Sequence, residues 1–468
     1  MTEIPIESLF QSQKLQAQAL RMQSWKSRLP YLKSLKAALL KYENEIIQAH
    51  VADFKKPADE TLLTEIFPVL EEINLFQRNL HRWSRPQEVG NPPLLLGSDS
   101  RVYFEAKGAV LIISSWNYPF ALSLTPLVGA IGAGNTVCLK PSELTPHVSR
   151  LLKKIVQEIF PPEMVSVVEG GAEVSQKLLS FPWDHIFFTG STNVGRIVMQ
   201  AAAKNLSPVT LELGGKSPAI VDASAHLKNS AEQMIWGKTV NNGQTCVSPD
   251  FVYVHAKVWD EFIQECKLAV ERLQKNHQRP QIISDKHYQR LMDLKTQSTA
   301  QGARVLLEGV TDGQRDLSPV LMEITTREFG TELMNQEIFG PLLPMIKYEH
   351  DDEVVQHVNS QGKPLSLYLF SQNETQIQFW LRAISSGGVT INNTLLHVGN
   401  HHLPFGGIGA SGIGKYHGHF SFLEFSHQRA VLHYRWTHAI LRKFYPPYSL
   451  ESRKLMSFLV RWMIKLPW

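Results

Sequence analysis

The sequence predicts an α/β protein with two doubly wound parallel sheets and a small bridging and oligomerisation element. The chain has 468 residues, a length that suits two or three domains, each with its own hydrophobic core. Because 43% of the residues are apolar and only 19% are charged, a disordered chain is excluded. Short apolar runs alternate with longer amphipathic runs of helical period, as strands and helices do in βαβ units. The short runs lack apolar–polar alternation, which is typical of strands covered on both faces.

The first 85 residues are predicted to be helical. Apolar side chains recur there at helical spacing between lysines and glutamines, at Leu15, Leu20, Trp25, Leu32, Leu35 and Leu39. A loop is expected over 85–98, where prolines and glycines interrupt any regular pattern. The first sheet is therefore expected to begin after this loop.

Between Lys107 and Lys140 lie 32 residues without a charged side chain. An apolar run of about 18 residues or more would suggest a membrane span, but asparagines, prolines and glycines interrupt this one. The segment divides better into a strand over 109–114, a helix that ends at Gly134, and a strand over 136–139.

The alternation of strand and helix continues along the chain. In order it predicts helix 145–160, strand 165–168, helix 172–179, strand 184–188, helix 193–204, strand 209–213, strand 218–221, helix 231–240, strand 251–254 and helix 259–274. We expect right-handed crossovers and two parallel sheets, the second continuing to about residue 416.

Cysteine usage and charge limit the location and partners. The three cysteines form no CxxC pair, so neither a disulfide framework nor a zinc site is indicated, and no secretory pattern opens the sequence. We therefore expect a cytoplasmic protein. The net charge of +4 divides into +7 for residues 429–468 and −3 for the rest, so the body is not expected to bind nucleic acid.

Cys246 is the first candidate for chemistry. It follows the polar turn 241–245, which can expose a sulfur and aim backbone N–H groups at an anion. A thiolate attacks a carbonyl carbon without help from a metal. The alternative is a small buried apolar side chain, the role we assign to Cys138 and Cys266.

Glu212 is the second candidate, a lone carboxylate between apolar residues at the end of a predicted buried strand. Burial would raise its pKa toward the working range of a general base, and open α/β sheets place their sites at such strand ends. The alternative is an ion pair with a neighbour such as Lys216.

A turn over 188–195 joins a predicted strand to a predicted helix. Its glycine would let the backbone approach a ligand, and the helix N-terminus would favour a phosphate, although an ordinary N-cap turn is the alternative. A GxGxxG match at 407–412 follows no clear strand, so we reject it as a dinucleotide fingerprint. The histidines between 397 and 419 lack metal-ligand spacing, and no metal site is predicted.

Together these segments resemble the aldehyde dehydrogenase superfamily, most closely its shorter family-3 branch, which includes fatty aldehyde dehydrogenases. The resemblance covers nearly the whole chain and rests on the joint order and spacing of several motifs. These are WNYPF at 116–120, KPSE at 140–143, the turn at 189–195, LELGGK at 211–216, GQTC at 243–246, EIFGP at 337–341 and LPFGG at 403–407.

The resemblance implies that Cys246 is the nucleophile that adds to an aldehyde to give a thiohemiacetal. The side-chain amide of Asn117 and the backbone N–H of Cys246 would hold the developing oxyanion. Once hydride has passed to a nicotinamide, Glu212 would activate the water that hydrolyses the thioester. Because CoA-acylating relatives can omit that base, Glu212 favours an acid as the product. A CoA-acylating enzyme and a non-catalytic dinucleotide-binding or structural protein are the alternatives.

The resemblance also implies NAD as the cofactor, with NADP as the alternative. Lys140 and Glu143 would contact the adenine ribose, where a carboxylate accepts the 2′-hydroxyl and repels a 2′-phosphate. Further cofactor contacts would come from Trp116, Gly190, Ser191, Thr192, Gly195, Glu337, Phe339 and Phe405. Core packing is the alternative for Phe339 and Phe405.

The resemblance further implies how the chain divides into domains. They are a NAD(P)-binding domain of 1–85 and 103–210, a catalytic domain of 211–415, a bridging and oligomerisation element of 86–102 and 416–437, and a basic amphipathic tail of 438–468. The tail is expected to be an interfacial membrane helix or a helix docked on the body or on a second subunit. We expect a homodimer acting on medium- or long-chain aliphatic or aromatic aldehydes.

Overall fold

The computed structural model describes residues 5–92, 95, 97–275, 278–311, 313–434 and 444–465. The chain divides into two compact units, one of Met1–Trp83 with Ala106–Ser426 and the other of Ser84–Glu105 with His427–Trp468. Within the described residues, no helix is both long and apolar enough to cross a membrane. Parts of the predicted bridging element and tail, at 93, 94, 96, 435–443 and 466–468, lie outside the described residues.

Helices form the N-terminal part of the first unit, as the apolar spacing predicts. They are α1 (Ile6–Arg21), α2 (Leu29–Lys41), α3 (Glu43–Phe54), α4 (Ala58–Thr61) and α5 (Phe67–Trp83), with a 3-10 turn over Trp25–Arg28 and a π-turn over Leu62–Ile66, and strands β1 (Gln87–Glu88) and β2 (Asp99–Ala106) follow. Leu32, Leu35 and Leu39 are fully buried, whereas Leu15 is exposed. Most of the predicted apolar stripe therefore faces the core.

The next elements alternate strand and helix and build the first sheet. They are β3 (Ala109–Ile113), α6 (Ala121–Ala133), β4 (Thr136–Lys140), α7 (Pro146–Ile159), β5 (Val165–Val167), α8 (Ala172–Leu179), β6 (His185–Thr189), α9 (Thr192–Ala203) and β7 (Val209–Glu212). The strands are parallel in the order β7–β6–β3–β4–β5. Leu111 packs with Phe10 of α1, while Ile112 is buried on the opposite face, so both faces of the sheet are covered.

The second sheet is built in the same way. Its elements are β8 (Pro218–Val221), α10 (Leu227–Thr239), β9 (Phe251–His255), α11 (Trp259–Gln274), α12 (Asp285–Ala300), β10 (Arg304–Leu307), β11 (Val320–Ile324), α13 (Glu332–Asn335), β12 (Leu342–Tyr348), α14 (Asp351–Ser360), β13 (Ser366–Phe370), α15 (Glu374–Ala383) and β14 (Gly388–Ile391), with 3-10 turns over Val240–Gly243, Ala256–Val258 and Thr326–Gly330. The order is β10–β11–β12–β9–β8–β13–β14, with only β10 antiparallel to its neighbour. Ile220 and Val221 of β8 lie in different core clusters, which shows that the sheet is covered on both faces.

The predicted parallel sheets are confirmed, except that each carries one antiparallel edge strand. The first sheet gains β15 (Gly412–Ile413), which pairs antiparallel with β7 and sets Gly412 opposite Glu212. Among the described residues, no helix lies between β10 and its antiparallel partner β11, and β15 is likewise not preceded by a helix after β14, since an antiparallel neighbour needs no crossover helix.

The C-terminal elements are α16 (Gly418–Glu424), β16 (Ser426–His433) and α17 (Leu450–Lys465). In the second unit, β1, β2 and β16 form a three-stranded sheet, in which Arg429 pairs with Glu105 at 2.9 Å. The segment 416–426, which the sequence assigns to the bridging element, lies in the first unit, where Phe422 and Phe425 are buried. The division of the first unit into a cofactor-binding and a catalytic domain stays a prediction.

Candidate active site

The loop that carries Cys246 has an uncommon backbone. Asn241, Asn242 and Gly243 have φ values of 50°, 53° and 72°, all in the left-handed region that favours glycine. At Gly243 a Cβ would stand 2.4 Å from the carbonyl oxygen of Gly340, so this position requires glycine. The turn leaves Cys246 partly exposed, whereas Cys138 and Cys266 are buried, as the sequence predicts for all three.

Asn117 lies against this loop, although it is far away in sequence. Its side-chain Nδ2 donates to the carbonyl oxygen of Gln244 at 3.1 Å, and Asn241 Nδ2 donates to the Asn117 carbonyl oxygen at 2.8 Å. A primary amide has two N–H donors, so the second remains available for an oxyanion. The hydroxyls of Tyr118 and Thr245 lie 2.6 Å apart and join the same two loops.

The surroundings of Cys246 favour the thiol over the thiolate. Burial raises the pKa of Cys246 to about 12, and the carboxylates of Glu337 and Glu212 raise it further. Attack on a carbonyl carbon therefore requires the thiol to pass its proton to an acceptor. Glu337 and Glu212, the two groups that act on its pKa, are candidate acceptors in their ionised forms.

Glu212 ends β7 and is almost fully buried, and neither of its carboxylate oxygens has a hydrogen-bond partner among the described residues. Burial raises its pKa well above the usual range, Glu424 adds to the rise, and Lys415 opposes it. Lys216, the alternative ion-pair partner, instead pairs with Asp250 and donates to the carbonyl oxygen of Leu333 at 2.9 Å. Glu212 is thus a buried carboxyl group free to handle protons.

Glu337 is a second carboxyl group with a raised pKa at this site. Burial and the charge of Asp250 raise its pKa to about 8, against a hydrogen bond from the backbone of Gly215 and the charges of Lys216 and Arg290. A Cβ at Gly214 would stand 2.0 Å from Glu337 Oε2, so the glycine makes room for the carboxylate. Glu337 Oε1 is buried and has no hydrogen-bond partner in the part of the chain that the structure describes.

A cavity of about 470 Å³ lies beside Glu337 and the start of α9. Its walls include Thr192, Gly214, Gly215, Lys216, Glu337, His357, Gln361, Ala410 and Ser411. Ser191 is the N-cap of α9, and its hydroxyl accepts from Val194 N at 3.4 Å. A helix N-terminus, an unpartnered buried carboxylate oxygen and glycine-lined walls fit the pyrophosphate and nicotinamide ribose of a dinucleotide.

Comparison with known proteins agrees with this geometry. The family model described as Aldehyde dehydrogenase family matches residues 2–431. The chain belongs to this family. It is 41% identical over 437 residues to the 4,4'-diaponeurosporen-aldehyde dehydrogenase of Staphylococcus aureus, covering 92% of this chain and 94% of the relative.

The family-3 branch is supported by two further relatives. The aldehyde dehydrogenase is 38% identical to the dimeric NADP-preferring aldehyde dehydrogenase of Canis lupus familiaris, covering 86% of this chain and 89% of the relative. It is also 38% identical to aldehyde dehydrogenase family 3 member A2 of Pongo abelii, covering 86% of this chain and 83% of the relative. A substrate-bound structure of Staphylococcus aureus AldH matches with a TM-score of 0.92 and 39% identity. The match covers 98% of this chain and 100% of that structure's chain.

Several predicted cofactor residues of this aldehyde dehydrogenase also have packing roles. A Cβ at Gly190 would stand 2.5 Å from the Phe188 ring, and one at Gly195 would stand 2.6 Å from Leu213 Cδ2. Phe405 is buried and stacks on His417 at 5.2 Å between ring centroids. Packing alone thus accounts for the residue type at these three positions.

The other predicted cofactor residues lie in two groups. Lys140 Nζ donates to Glu143 Oε2 at 2.6 Å. Burial opposes ionisation of Glu143, but the hydrogen bond from Lys140 favours it, and the pKa of Glu143 lies below its usual range. Trp116 and Phe339 meet edge to face at 5.3 Å, with Phe339 in the left-handed region at φ 51°. Both rings are partly exposed and available to a ligand.

Sequence reasoning missed several wall residues of the cavity. Ala410 and Ser411 line it, although they belong to the GxGxxG segment rejected as a fingerprint. Leu213 N donates to the Ser411 carbonyl oxygen at 3.2 Å, which ties that segment to the strand end at Glu212. The small residues at 407–412 were the available signal, because small side chains permit a close backbone approach.

Proposed function

We propose that this aldehyde dehydrogenase oxidises medium- or long-chain aliphatic or aromatic aldehydes to carboxylic acids with NAD, NADP being the alternative cofactor. Oxidation of an aldehyde to an acid is the general reaction of the family. The observation that carries the proposal is the placement of the Cys246 loop against Asn117, with unpartnered Glu212 acting on the cysteine's pKa.

Cys246 begins the reaction by adding its sulfur to the carbonyl carbon of the aldehyde. The thiol proton goes to a neighbouring carboxylate, and negative charge develops on the former carbonyl oxygen. The free N–H of the Asn117 amide and the backbone N–H of Cys246 stabilise this oxygen in the thiohemiacetal. Because both donors are fixed before substrate binds, little reorganisation is needed.

A nicotinamide cofactor, when bound, would supply the hydride acceptor for oxidation of the thiohemiacetal to a thioester. In its carboxylate form, Glu212 would then take a proton from water, whose oxygen attacks the thioester carbon. As the carbon–sulfur bond breaks, Glu212 passes that proton to the departing sulfur, which leaves the carboxylic acid and the thiol. Burial raises the pKa of Glu212, and a raised pKa makes its carboxylate a stronger base for this step. Thr192 and Ser191 would hold the pyrophosphate, and Glu337 the nicotinamide ribose.

The Lys140–Glu143 pair supports NAD over NADP. A ribose 2′-hydroxyl can donate to the Glu143 carboxylate, whereas a 2′-phosphate would be repelled by it. Lys140 is already engaged by Glu143 and offsets this repulsion only in part. The Canis relative is named NADP-preferring, so the two cofactors need a direct comparison.

We also propose a peripheral membrane contact through α17 and a homodimer. Leu450, Phe458 and Ile464 of α17 are each more than 60% exposed, and the same helix carries Arg453 and Arg461. An exposed apolar face beside basic residues suits the surface of an anionic bilayer. The homodimer proposal is supported by the Canis relative, which is named dimeric.

An aldehyde panel tests the proposed function. Purified protein is given C2 to C16 aldehydes and benzaldehydes with NAD or NADP, and cofactor reduction and acid are measured together. We expect one acid per reduced cofactor, highest kcat/KM for C8 to C16 or aromatic aldehydes, and a preference for NAD. Adding CoA separates the alternative: acyl-CoA in place of acid would contradict the hydrolytic reaction.

A further inference from the structure

A group of charged residues, the Lys56 cluster, lies against the Asn117 and Cys246 loops. It consists of Lys56, Glu60 and Glu65, from the segment between α3 and α5. Lys56 and Glu65 are fully buried, and Lys56 Nζ donates to Glu65 Oε1 at 2.7 Å. Replacing a buried ion pair by apolar side chains is often neutral or stabilising, so stability alone is a poor reason to keep one.

Glu65 holds the Asn117 loop from one side. Its Oε2 accepts from the backbone N–H of Phe120 at 3.1 Å and of Ala121 at 2.9 Å, at the start of α6. Burial opposes ionisation of Glu65, but the charges of Lys56 and His50 outweigh burial and lower its pKa to about 2. The carboxylate is therefore ionised when it caps the segment that follows Asn117.

Lys56 and Glu60 connect the cluster to the Cys246 loop. Lys56 Nζ lies 4.2 Å from the ring centroid of Tyr118, whose hydroxyl contacts Thr245 beside the cysteine. Glu60 Oε1 accepts from the backbone N–H of Asn241 at 2.5 Å. Asn241 adopts a left-handed conformation and donates to the Asn117 carbonyl oxygen, so Glu60 fixes a residue that joins both loops.

We propose that the Lys56 cluster sets the distance between the two oxyanion donors, the Asn117 amide and the Cys246 backbone N–H. The inference rests on the proposed function. Its members are positioning residues, because none of them is assigned a contact with substrate, cofactor or reacting atoms. Misplacing a catalytic group by about 1 Å can lower a rate by about 100-fold. Fixing these two donors in place therefore protects the rate of the chemical step.

Glu60 offers the sharpest test. Glu60→Leu removes the acceptor of the Asn241 N–H, whereas Glu60→Gln keeps an acceptor oxygen at the same place. We expect Glu60→Leu to lower kcat by about 10- to 100-fold with cofactor affinity within about twofold of the parent, and Glu60→Gln to restore most of the rate. Glu158→Leu, which removes a surface carboxylate that contacts Lys41 and Tyr42, is the matched control.

A double-mutant cycle with Asn117→Ala separates positioning from general damage. If Glu60 acts by placing the Asn117 donor, then adding Glu60→Leu to Asn117→Ala should lower kcat by less than about threefold, because the donor is already absent. The inference would be overturned if Glu60→Leu lowered kcat by the same factor in the parent and in Asn117→Ala. A parental kcat for Glu60→Leu would overturn it too. Should Glu60→Leu fail to fold, Glu60→Ala removes the same acceptor without adding a larger apolar side chain, and a parental rate for it has the same consequence.

The parent enzyme is assayed for acid in the same experiment. If the parent produces no acid, the proposed function fails before the cluster is tested. If the parent produces acid and the variants keep its rate, only the inference about the Lys56 cluster fails.

Discussion

The side-chain amide of Asn117 donates to the carbonyl oxygen of Gln244, 3.1 Å away and two residues before Cys246. This bond uses one amide N–H and orients the other, and the return bond from Asn241 fixes the Asn117 backbone. The candidate oxyanion site is therefore formed before any ligand binds, which is how fixed dipoles lower a barrier.

Asn117→Ala should lower kcat by about 10²- to 10³-fold, because one oxyanion donor is lost. The KM for cofactor should change little, since the amide acts on the reacting oxygen. Steady-state kinetics with one good aldehyde measure both constants. Asn79→Ala, which removes an amide that donates to the Leu75 carbonyl oxygen on a helix surface, should leave both constants at parental values.

Glu212→Gln should separate the two halves of the reaction. The variant keeps Cys246 and Asn117, and Glu337 remains as an acceptor for the thiol proton, so one equivalent of reduced cofactor should form in a burst. Thioester hydrolysis should slow by about 10²-fold or more without its base. Stopped-flow absorbance measures the burst, and intact-protein mass spectrometry detects the acyl-enzyme. Parental steady-state turnover would show that another group activates the water. Glu271→Gln on α11 is the surface control.

Glu337→Gln should become more stabilising as pH rises from about 5 to 8. The pKa of Glu337 is raised from 4.5 to about 8 in the folded protein, so the folded state holds a proton that the unfolded chain releases in this range. The stability from that extra proton is complete below about pH 4.5 and is lost as pH rises through 8, by up to about 1.4 kcal/mol per pH unit. Glutamine cannot ionise and avoids this loss.

Chemical unfolding of the parent and Glu337→Gln at pH 5, 6.5 and 8 measures the effect. The difference in unfolding free energy should grow with pH, while the Glu271→Gln control should show no such trend. A constant difference across the range would mean that Glu337 has an ordinary pKa in the folded protein.

Removing residues 450–468 should abolish binding to anionic liposomes and leave the turnover of short, soluble aldehydes within about twofold of the parent. The reason is that α17 combines an exposed apolar face with basic side chains. Co-sedimentation with vesicles of mixed neutral and anionic phospholipid measures it. A full-length protein that stays in the supernatant contradicts the membrane contact, and Phe458→Ser is a milder variant that should weaken binding.

Local sequence signals located many elements of the fold. The apolar run Pro218–Val221 and the amphipathic run Ala172–Leu179 form a strand and a helix with the predicted bounds. Helix α9 begins beside Ser191, whose hydroxyl provides a recognisable cap. Helix α10 begins at Leu227 after His226, which makes no side-chain cap, so the predicted start at 231 was late.

Contacts between residues that are distant in sequence could not be predicted from local sequence patterns. The pairing of Gly412 with Glu212 joins residues 200 apart, and no local pattern announces it. Lys56 and Glu65 carry no local sign of their complete burial, because it depends on elements that only the folded chain brings together. The roles assigned to Cys246, Glu212 and Asn117 stay predictions, although the structure places Asn117 against the Cys246 loop and leaves Glu212 without a partner.

The central claim is that the sulfur of Cys246 carries the acyl group. Cys246→Ser with a good aldehyde and saturating cofactor tests it most directly, with circular dichroism and cofactor affinity confirming an intact fold. We predict no burst, no acyl-enzyme by mass spectrometry, and cofactor reduction at least about 10³-fold slower than in the parent, because a serine hydroxyl is a far weaker nucleophile without its own activating base. Reduction of cofactor at the parental rate would contradict the account.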